Sequence, residues 1–548
     1  MKTKNILVSF AFAAALCSCN VLDIQPTSDF SPEVVWGDSD AVDHYVYGFY
    51  AYMKNYCEVS SSNQSSYSDA YADILKSGSW NQYNHGYNTT MMQESSFSAV
   101  GAGAFECWDD QYTYIRRCNE FFRDAPTYVS KYGEGKINAW TAEVRFIRAL
   151  CYMRLMMVYG NDDPSFANGG VPIRLEVQGP DKNDMPRCTW DEGWDVVLND
   201  LQFAATYLPK DAPASGRLKK AAAYGMISRA ALYAKRWERV VSAADSCALY
   251  GGELAADYKT VISTASCPEN LIAVSFTSDG KMSHRADTFF RPIGDRSRHG
   301  NKDIYGVIGP TSELVDSYEM ADGTPFDWTT FGDDPYTGRE PRFYASIIYN
   351  GCKWEDRTIE LFEGGEDAYD TFTCSNTTKS TPTGYYFRKF ITEGESNWET
   401  NGSSHFAFFL RYAEVLLNKA EAQAELGQVE DACATLNLVR ARVNLPGRTD
   451  TDKDAFMAHL RSERMVELAG EGRRFWDLRR WKLAEDAING QVVHGVQIKK
   501  EEDGSFTYTT VSVDADRTRI FPSRYYAFSI PESERNNNLA LGDNNPGW

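Results

Sequence analysis

Two stretches of the chain repeat one plan, and that plan restricts the fold more than any other feature. From Leu218 to Leu249 an alanine-rich segment, a turn at Lys235-Arg236 and a second segment opening on Trp237 predict two antiparallel helices. From Arg411 to Val443 the plan recurs. Ala413, Leu416, Leu417, Ala420 and Ala424 line one helical face, Gly427 makes the turn, and Val429, Ala432, Leu436 and Val439 line the next. Small residues at this spacing let the two helices of a pair approach closely. A chain built on such pairs is mainly helical.

Read from the residues alone, these pairs are either degenerate tetratricopeptide repeats, with the usual bulky and proline positions only partly kept, or generic helical hairpins. Further helices are predicted over Asp38 to Tyr56, Ala104 to Tyr128, Asn138 to Tyr159, Trp190 to Tyr207, Lys453 to Ala469 and Arg473 to Trp481. Between the two hairpins, Leu271 to Phe276, Phe343 to Tyr349 and Tyr385 to Phe390 read as short strands among Gly, Pro, Asp and Thr turn clusters. The last segments read as loops with an Asn-rich tail.

The N-terminus carries an address. Lys2 and Lys4 precede an apolar run from Ile6 to Leu16 and then small residues, the order of a secretory signal peptide. The run is about half the roughly 20 residues that a membrane span needs. Leu16-Cys17-Ser18-Cys19 resembles a bacterial lipobox, which implies cleavage after Ser18 and a diacylglyceryl thioether on Cys19. Ordinary cleavage near the same place is the alternative. At least two acyl chains would hold the mature chain stably to one leaflet.

Composition excludes several classes. The formal charge of −20, or −22 without Lys2 and Lys4, argues against nucleic acid as a partner. The ten cysteines beyond Cys19 show no CxxC pair and no zinc spacing, so neither metal nor cofactor is signalled. Most read as small buried hydrophobes, Cys151 and Cys433 above all, although some pairing into disulfides is open. There is no G-x-S-x-G elbow, no H-E-x-x-H and no phosphate-binding glycine loop. No catalytic residue is expected.

Residues 57 to 104 form a long region of Ser, Asn, Gln, Gly and Tyr without period, and loops of that length are usually functional or disordered. Trp80, Asn81, Tyr83, Asn84 and Tyr87 are the candidate ligand-binding residues, because aromatic faces stack on pyranose rings while amides bond hydroxyls. Packing of Trp80 and Tyr83 onto the domain is the competing account. A second candidate is the basic stretch Arg291, Arg296, Arg298 and His299, which reads more readily as a solvated charged loop. Arg473, Arg474 and Asp477, set among Phe475, Trp476 and Trp481, read as ion pairs that orient a helix, since arginine has no useful pKa for acid/base work.

Several segments taken together resemble the SusD/RagB family of Bacteroidetes outer-membrane lipoproteins. They include Arg145-Phe-Ile-Arg-Ala-Leu-Cys-Tyr, Gly170-Val-Pro-Ile, Ser228-Arg-Ala-Ala-Leu-Tyr, Arg411-Tyr-Ala-Glu, Leu436-Asn-Leu-Val-Arg-Ala-Arg, Glu471-Gly-Arg-Arg-Phe-Trp-Asp-Leu-Arg-Arg-Trp and Ile530-Pro-Glu-Ser-Glu-Arg-Asn. Where the family tail commonly reads Glu-Ile-Asn, this chain has Glu534-Arg535-Asn536. The resemblance implies one large, mainly α domain, with tetratricopeptide-like helical hairpins on one side and a loop-rich ligand-binding half with a few short strands on the other. It implies a signal peptide over 1–18 and a mature domain over 19–548, in which an N-terminal part of about 19–235 and a C-terminal part of about 270–548 interleave. It further implies capture of an oligosaccharide or other nutrient, and a SusC-like TonB-dependent transporter as partner. A surface glycoside hydrolase and a protein-binding scaffold are the alternatives.

Overall fold

The structure, a computed structural model, describes residues 32–56, 67–77, 97–179, 184–277, 279–298, 304–331, 334–368, 381–394, 402–514 and 518–548. Helices α1 (Ser39–Tyr56), α2 (Trp108–Asp124), α3 (Glu134–Tyr159), α4 (Trp190–Tyr207), α5 (Lys220–Tyr233) and α6 (Trp237–Leu249) fill the first half. Short helices α7 (Tyr258–Ser263), α8 (Ser312–Ser317) and α9 (Pro341–Ser346) follow. Helices α10 (Tyr412–Glu425), α11 (Val429–Arg442), α12 (Lys453–Glu467) and α13 (Arg474–Arg480) come after them. Helix α3 packs on α4, α4 on α5, α5 on α6, α6 on α10, and α10 on both α11 and α12, so the pairs form one continuous stack.

The two hairpins close alike. Arg236 N–H donates to Ala231 O at 2.9 Å and Gln428 N–H to Gln423 O at 2.8 Å, the six-to-one bond of a Schellman turn. Such a turn needs one left-handed residue. Gly427 (φ 79°) supplies it without strain, whereas Lys235 (φ 57°) carries a Cβ there and is held by Asp162 at 2.8 Å. Helix α4 starts on a capping box, in which Thr189 Oγ accepts Glu192 N–H and Glu192 accepts Thr189 N–H.

The charged residues of the family-like motifs bond one another. Arg229 on α5 donates to Glu414 on α10 at 2.6 Å, and Arg473 reaches the same carboxylate. Arg464 and Arg480 share Asp477, and Arg474 pairs with Asp73 at 2.7 Å. The expected structural role of Arg473, Arg474 and Asp477 therefore holds, with Phe475 and Trp476 buried beside them.

Strands are short and pair only in twos among the described residues: β1 (Leu75–Ser77), β2 (Ile272–Val274), β3 (Ile308–Pro310), β4 (Ile347–Ile348), β5 (Lys353–Trp354), β6 (Arg357–Thr358), β7 (Tyr386–Phe387), β8 (Ala407–Leu410), β9 (His494–Lys500) and β10 (Phe506–Ser512). Gly225 lets α5 lie against β8 and the residue just before β2, because a Cβ there would sit 2.8 Å from Leu410 and 3.0 Å from Leu271.

Four expectations are corrected. Phe343 to Tyr349 is not one strand, since Pro341 at the first turn starts α9 and only Ile347–Ile348 is extended. The helix expected over Ala104 to Tyr128 begins at Trp108, and its last residues, Ala125–Tyr128, are 3-10 helix around Pro126. Residues 494–512 form the β9–β10 hairpin where loops were expected. The Asn-rich tail is built into the body, with Asn545 1% exposed and bonded to Tyr159 O and Phe528 O. The eight described cysteines are free and Cys151 and Cys433 are buried, while Cys57 and Cys374 lie outside the described residues.

Candidate functional site

The loop-rich side is organised around β1. It pairs antiparallel with β3, Ser77 opposite Ile308 and Leu75 opposite Pro310. Gly309 of β3 sits so close to Thr381 and Thr383 that a Cβ would lie 2.5 Å from Thr383 Oγ1 and 3.0 Å from Thr381 Oγ1. Ser77, residues 304–307 leading into β3, and Thr381 thus meet in one place. Trp80, Asn81, Tyr83, Asn84 and Tyr87 lie outside the described residues, as does Cys19. Their root is Ser77, the last residue described before them.

A buried ion network closes around Asp367, on the same loop-rich side. Arg291, fully buried, holds Asp287 at 3.1 Å, Asp295 at 3.0 Å and Glu355 at 2.9 Å, and donates to Thr392 O at 2.7 Å. Arg357 bonds Asp295 and Asp367, each at 2.6 Å, and Trp354 Nε1 donates to Asp295 at 2.9 Å. Burial pushes the Asp367 carboxyl above its ordinary pKa. This corrects the reading of Arg291 as part of a solvated loop: desolvating a guanidinium is tolerable only because three carboxylates surround it. Arg298 does remain exposed and pairs with Glu366 at 3.1 Å, Arg296 is half-buried, and His299 lies outside the described residues.

Next to the root runs a rim of aromatic rings that the sequence did not single out. Val496 N–H donates to Thr383 O at 2.9 Å, which fixes the β9–β10 hairpin against the root. Tyr508 on β10 lies 6.1 Å from Trp328, Trp328 packs 5.1 Å from Phe326, and Phe326 stacks on Phe331 at 5.6 Å. On the other side Phe506 lies 6.5 Å from Tyr508 and 5.5 Å from Phe362. All six rings are half-buried, so each keeps part of its surface in water. Rings that are both fixed and wet suit stacking on the apolar faces of a polar ligand.

Trp328 is aimed by Asp316, whose Oδ2 accepts its Nε1–H at 2.9 Å. Asp316 Oδ1 is buried without a hydrogen-bond partner among the described residues, and desolvation pushes the pKa of this carboxyl up to about 6. A carboxyl raised above its unfolded value is favoured as the neutral acid in the fold. Its penalty is absent below the unfolded pKa of about 3.8, grows as pH rises through 6, and is complete above it. Asp316→Asn, which removes the charge and keeps the acceptor, is expected to raise stability at pH 8 by about 2 kcal/mol and to change it little at pH 4. Thermal midpoints at the two pH values check this; equal shifts at both would contradict it.

Among the described residues no group of His, Cys, Asp or Glu is placed to hold a metal ion. The rim presents stacking surfaces.

Helix pairs on one side, with paired short strands and an aromatic rim on the other, define a helical-hairpin protein that displays its ring surfaces on loops and a β-hairpin. A family model described as the SusD family matches residues 268–548, and one described as starch-binding associating with outer membrane matches residues 20–232. The chain belongs to the SusD family. It is similar to SusD-like protein P38 of Formosa agariphila, 24% identical over 532 residues that cover 89% of this chain and 94% of that one. A SusD-like protein of Bacteroides fragilis has a solved structure with a TM-score of 0.78 at 29% identity, covering 94% of this chain and 98% of that one. A second B. fragilis structure, of a SusD-like carbohydrate binding protein, matches with a TM-score of 0.75 at 23% identity, covering 93% and 100%. The mainly helical fold expected from the hairpins is the fold of these proteins.

Proposed function

We propose that this protein captures oligosaccharides on its loop-rich side, without cleaving them, and delivers them to a SusC-like TonB-dependent transporter. In this reading residues 1–18 are removed, lipid on Cys19 holds the rest to the outer membrane facing outward, and the helix-pair side meets the transporter. The tether keeps the protein at high effective concentration over its partner. The observation that carries the reading is the six-ring rim beside the root of the Trp80 loop, in a chain whose family models include a starch-binding, outer-membrane description.

Calorimetry with neutral glycans tests it. Trp328→Ala and Tyr508→Ala together should weaken binding about tenfold, since each lost stacking contact is worth about 0.5–1.5 kcal/mol. Trp80→Ala and Tyr83→Ala test the neighbouring loop in the same assay. Unchanged affinity in all four variants removes this side as the site. New reducing ends after incubation with glycan would favour a hydrolase instead. Co-purification of a transporter without any measurable glycan would favour a scaffold.

A further inference from the structure

A separate cleft of about 560 Å³ opens between α7, α9 and the segment after β7, within the roughly 300–1,000 Å³ of small-ligand sites. Tyr258, Ile262, Tyr344 and Ile391 give it apolar walls, and Lys259 and Arg388 stand on it. Both tyrosine hydroxyls point into the protein, Tyr258 to Glu467 O at 3.3 Å and Tyr344 to Tyr336 O at 2.7 Å. Their rings, not their hydroxyls, are what the cleft is offered.

The charged groups are unevenly committed. Asp257 is turned onto its own helix, capping α7 through Thr260 N–H at 3.0 Å, and Glu393 accepts Glu355 N–H at 2.9 Å. Lys389, at the floor, spends its ammonium on Glu471, Glu467 O and Ala469 O. Arg388 donates to Lys353 O and lies 5.7 Å from the Trp354 ring, but it pairs with no carboxylate among the described residues. A guanidinium that no carboxylate holds can take a charge-assisted bond from a ligand carboxylate. Lys259 is exposed on the same cleft, within reach of the same ligand.

We infer that this cleft is a second ligand site, for a carboxylate-bearing sugar unit of the uronic acid class, with Arg388 and Lys259 on the carboxylate and Tyr258 and Tyr344 against the ring. It depends on the proposed glycan capture only for the choice of a sugar, and it uses none of the rim residues.

Titration with sodium glucuronate, with glucose as the neutral control, tests it by calorimetry and saturation-transfer NMR on the mature chain. Glucuronate should bind at least about tenfold more tightly than glucose, and Arg388→Ala should weaken it about tenfold, the effect of one charge-assisted hydrogen bond. Ser263→Trp, an exposed change at the cleft mouth, should abolish binding without relying on a buried position. Arg388→Ala and Ser263→Trp should leave neutral-glycan affinity unchanged, so a failure here and a failure at the rim are read separately. Equal affinity for the two sugars, or glucuronate affinity unmoved by both cleft variants, overturns the inference. So does absence of glucuronate binding up to roughly 10 mM.

Discussion

Glu467→Ala is expected to destabilise the protein by about 3–5 kcal/mol, read as a lower urea midpoint by tryptophan fluorescence. The carboxylate is completely buried at the end of α12 and meets three guanidiniums, those of Arg342, Arg411 and Arg442. Arg411 and Arg442 also share Glu269, and Arg342 also holds Glu340 and Glu463. Removing Glu467 leaves three cations in a dry interior with one partner fewer. The cost is therefore the desolvation of uncompensated charge, not the modest net worth of a pair. The three arginines hold the Glu467 carboxyl well below its ordinary pKa. Its contribution to stability is present above the unfolded value of about 4.5 and is lost as pH falls toward the folded one, so the wild type should converge on the variant in acid. Glu120→Ala is the control. It deletes an exposed pair with Arg116 and should change stability by less than about 0.5 kcal/mol.

That network also shows what the sequence could and could not disclose. The helix pairs were legible because alanine and leucine recur at helical spacing and the stack buries that face; Trp190–Tyr207 and Trp237–Leu249 end where expected. The β9–β10 hairpin was not, because its alternation is short: only Val496 and Ile498 on β9 and Phe506 and Tyr508 on β10 mark an inner face, among polar and charged neighbours. Arg291 was misread although Asp287 and Asp295 flank it at four residues, since Glu355 and the Thr392 carbonyl, which complete its shell, come from far along the chain. The rim had only partial local signatures, the clusters Phe326-Asp-Trp328-Thr-Thr-Phe331 and Phe506-Thr-Tyr508. Its rings come from three separate segments, around Phe326, Phe362 and Tyr508, and only the hairpin's docking on Thr383 gathers them. Function in such a fold is carried by loops whose partners are set by the stack behind them.

Arg479→Ala should cost roughly 3–6 kcal/mol, for a reason that no ion pair supplies. The side chain is buried, yet it donates to carbonyls alone: Met157 O at 2.8 Å, Tyr525 O at 3.0 Å and Tyr526 O at 2.8 Å. Met157 belongs to the last turn of α3, where four carbonyls lack helical partners. Each of the four is satisfied. Met156 O takes Gly160 N–H, Met157 O takes Arg479, Val158 O takes Phe528 N–H and Tyr159 O takes Asn545 Nδ2. Burial among Trp476 and Phe528 pulls the Arg479 pKa down to about 9, which still leaves a cation at neutral pH, placed at the negative end of the α3 dipole. Alanine would strand three buried carbonyls at about 1–3 kcal/mol each, with part of the cost relieved by water entering the space. Arg479→Lys keeps the charge but cannot reach three diverging acceptors with a planar fork, so it should recover less than half of the loss. Because two of the acceptors are in the C-terminal segment, the alanine variant should also expose the Phe528 amide to hydrogen exchange well before the α5–α6 hairpin. Uniform protection of the two regions would show that Arg479 does not hold the tail to the stack.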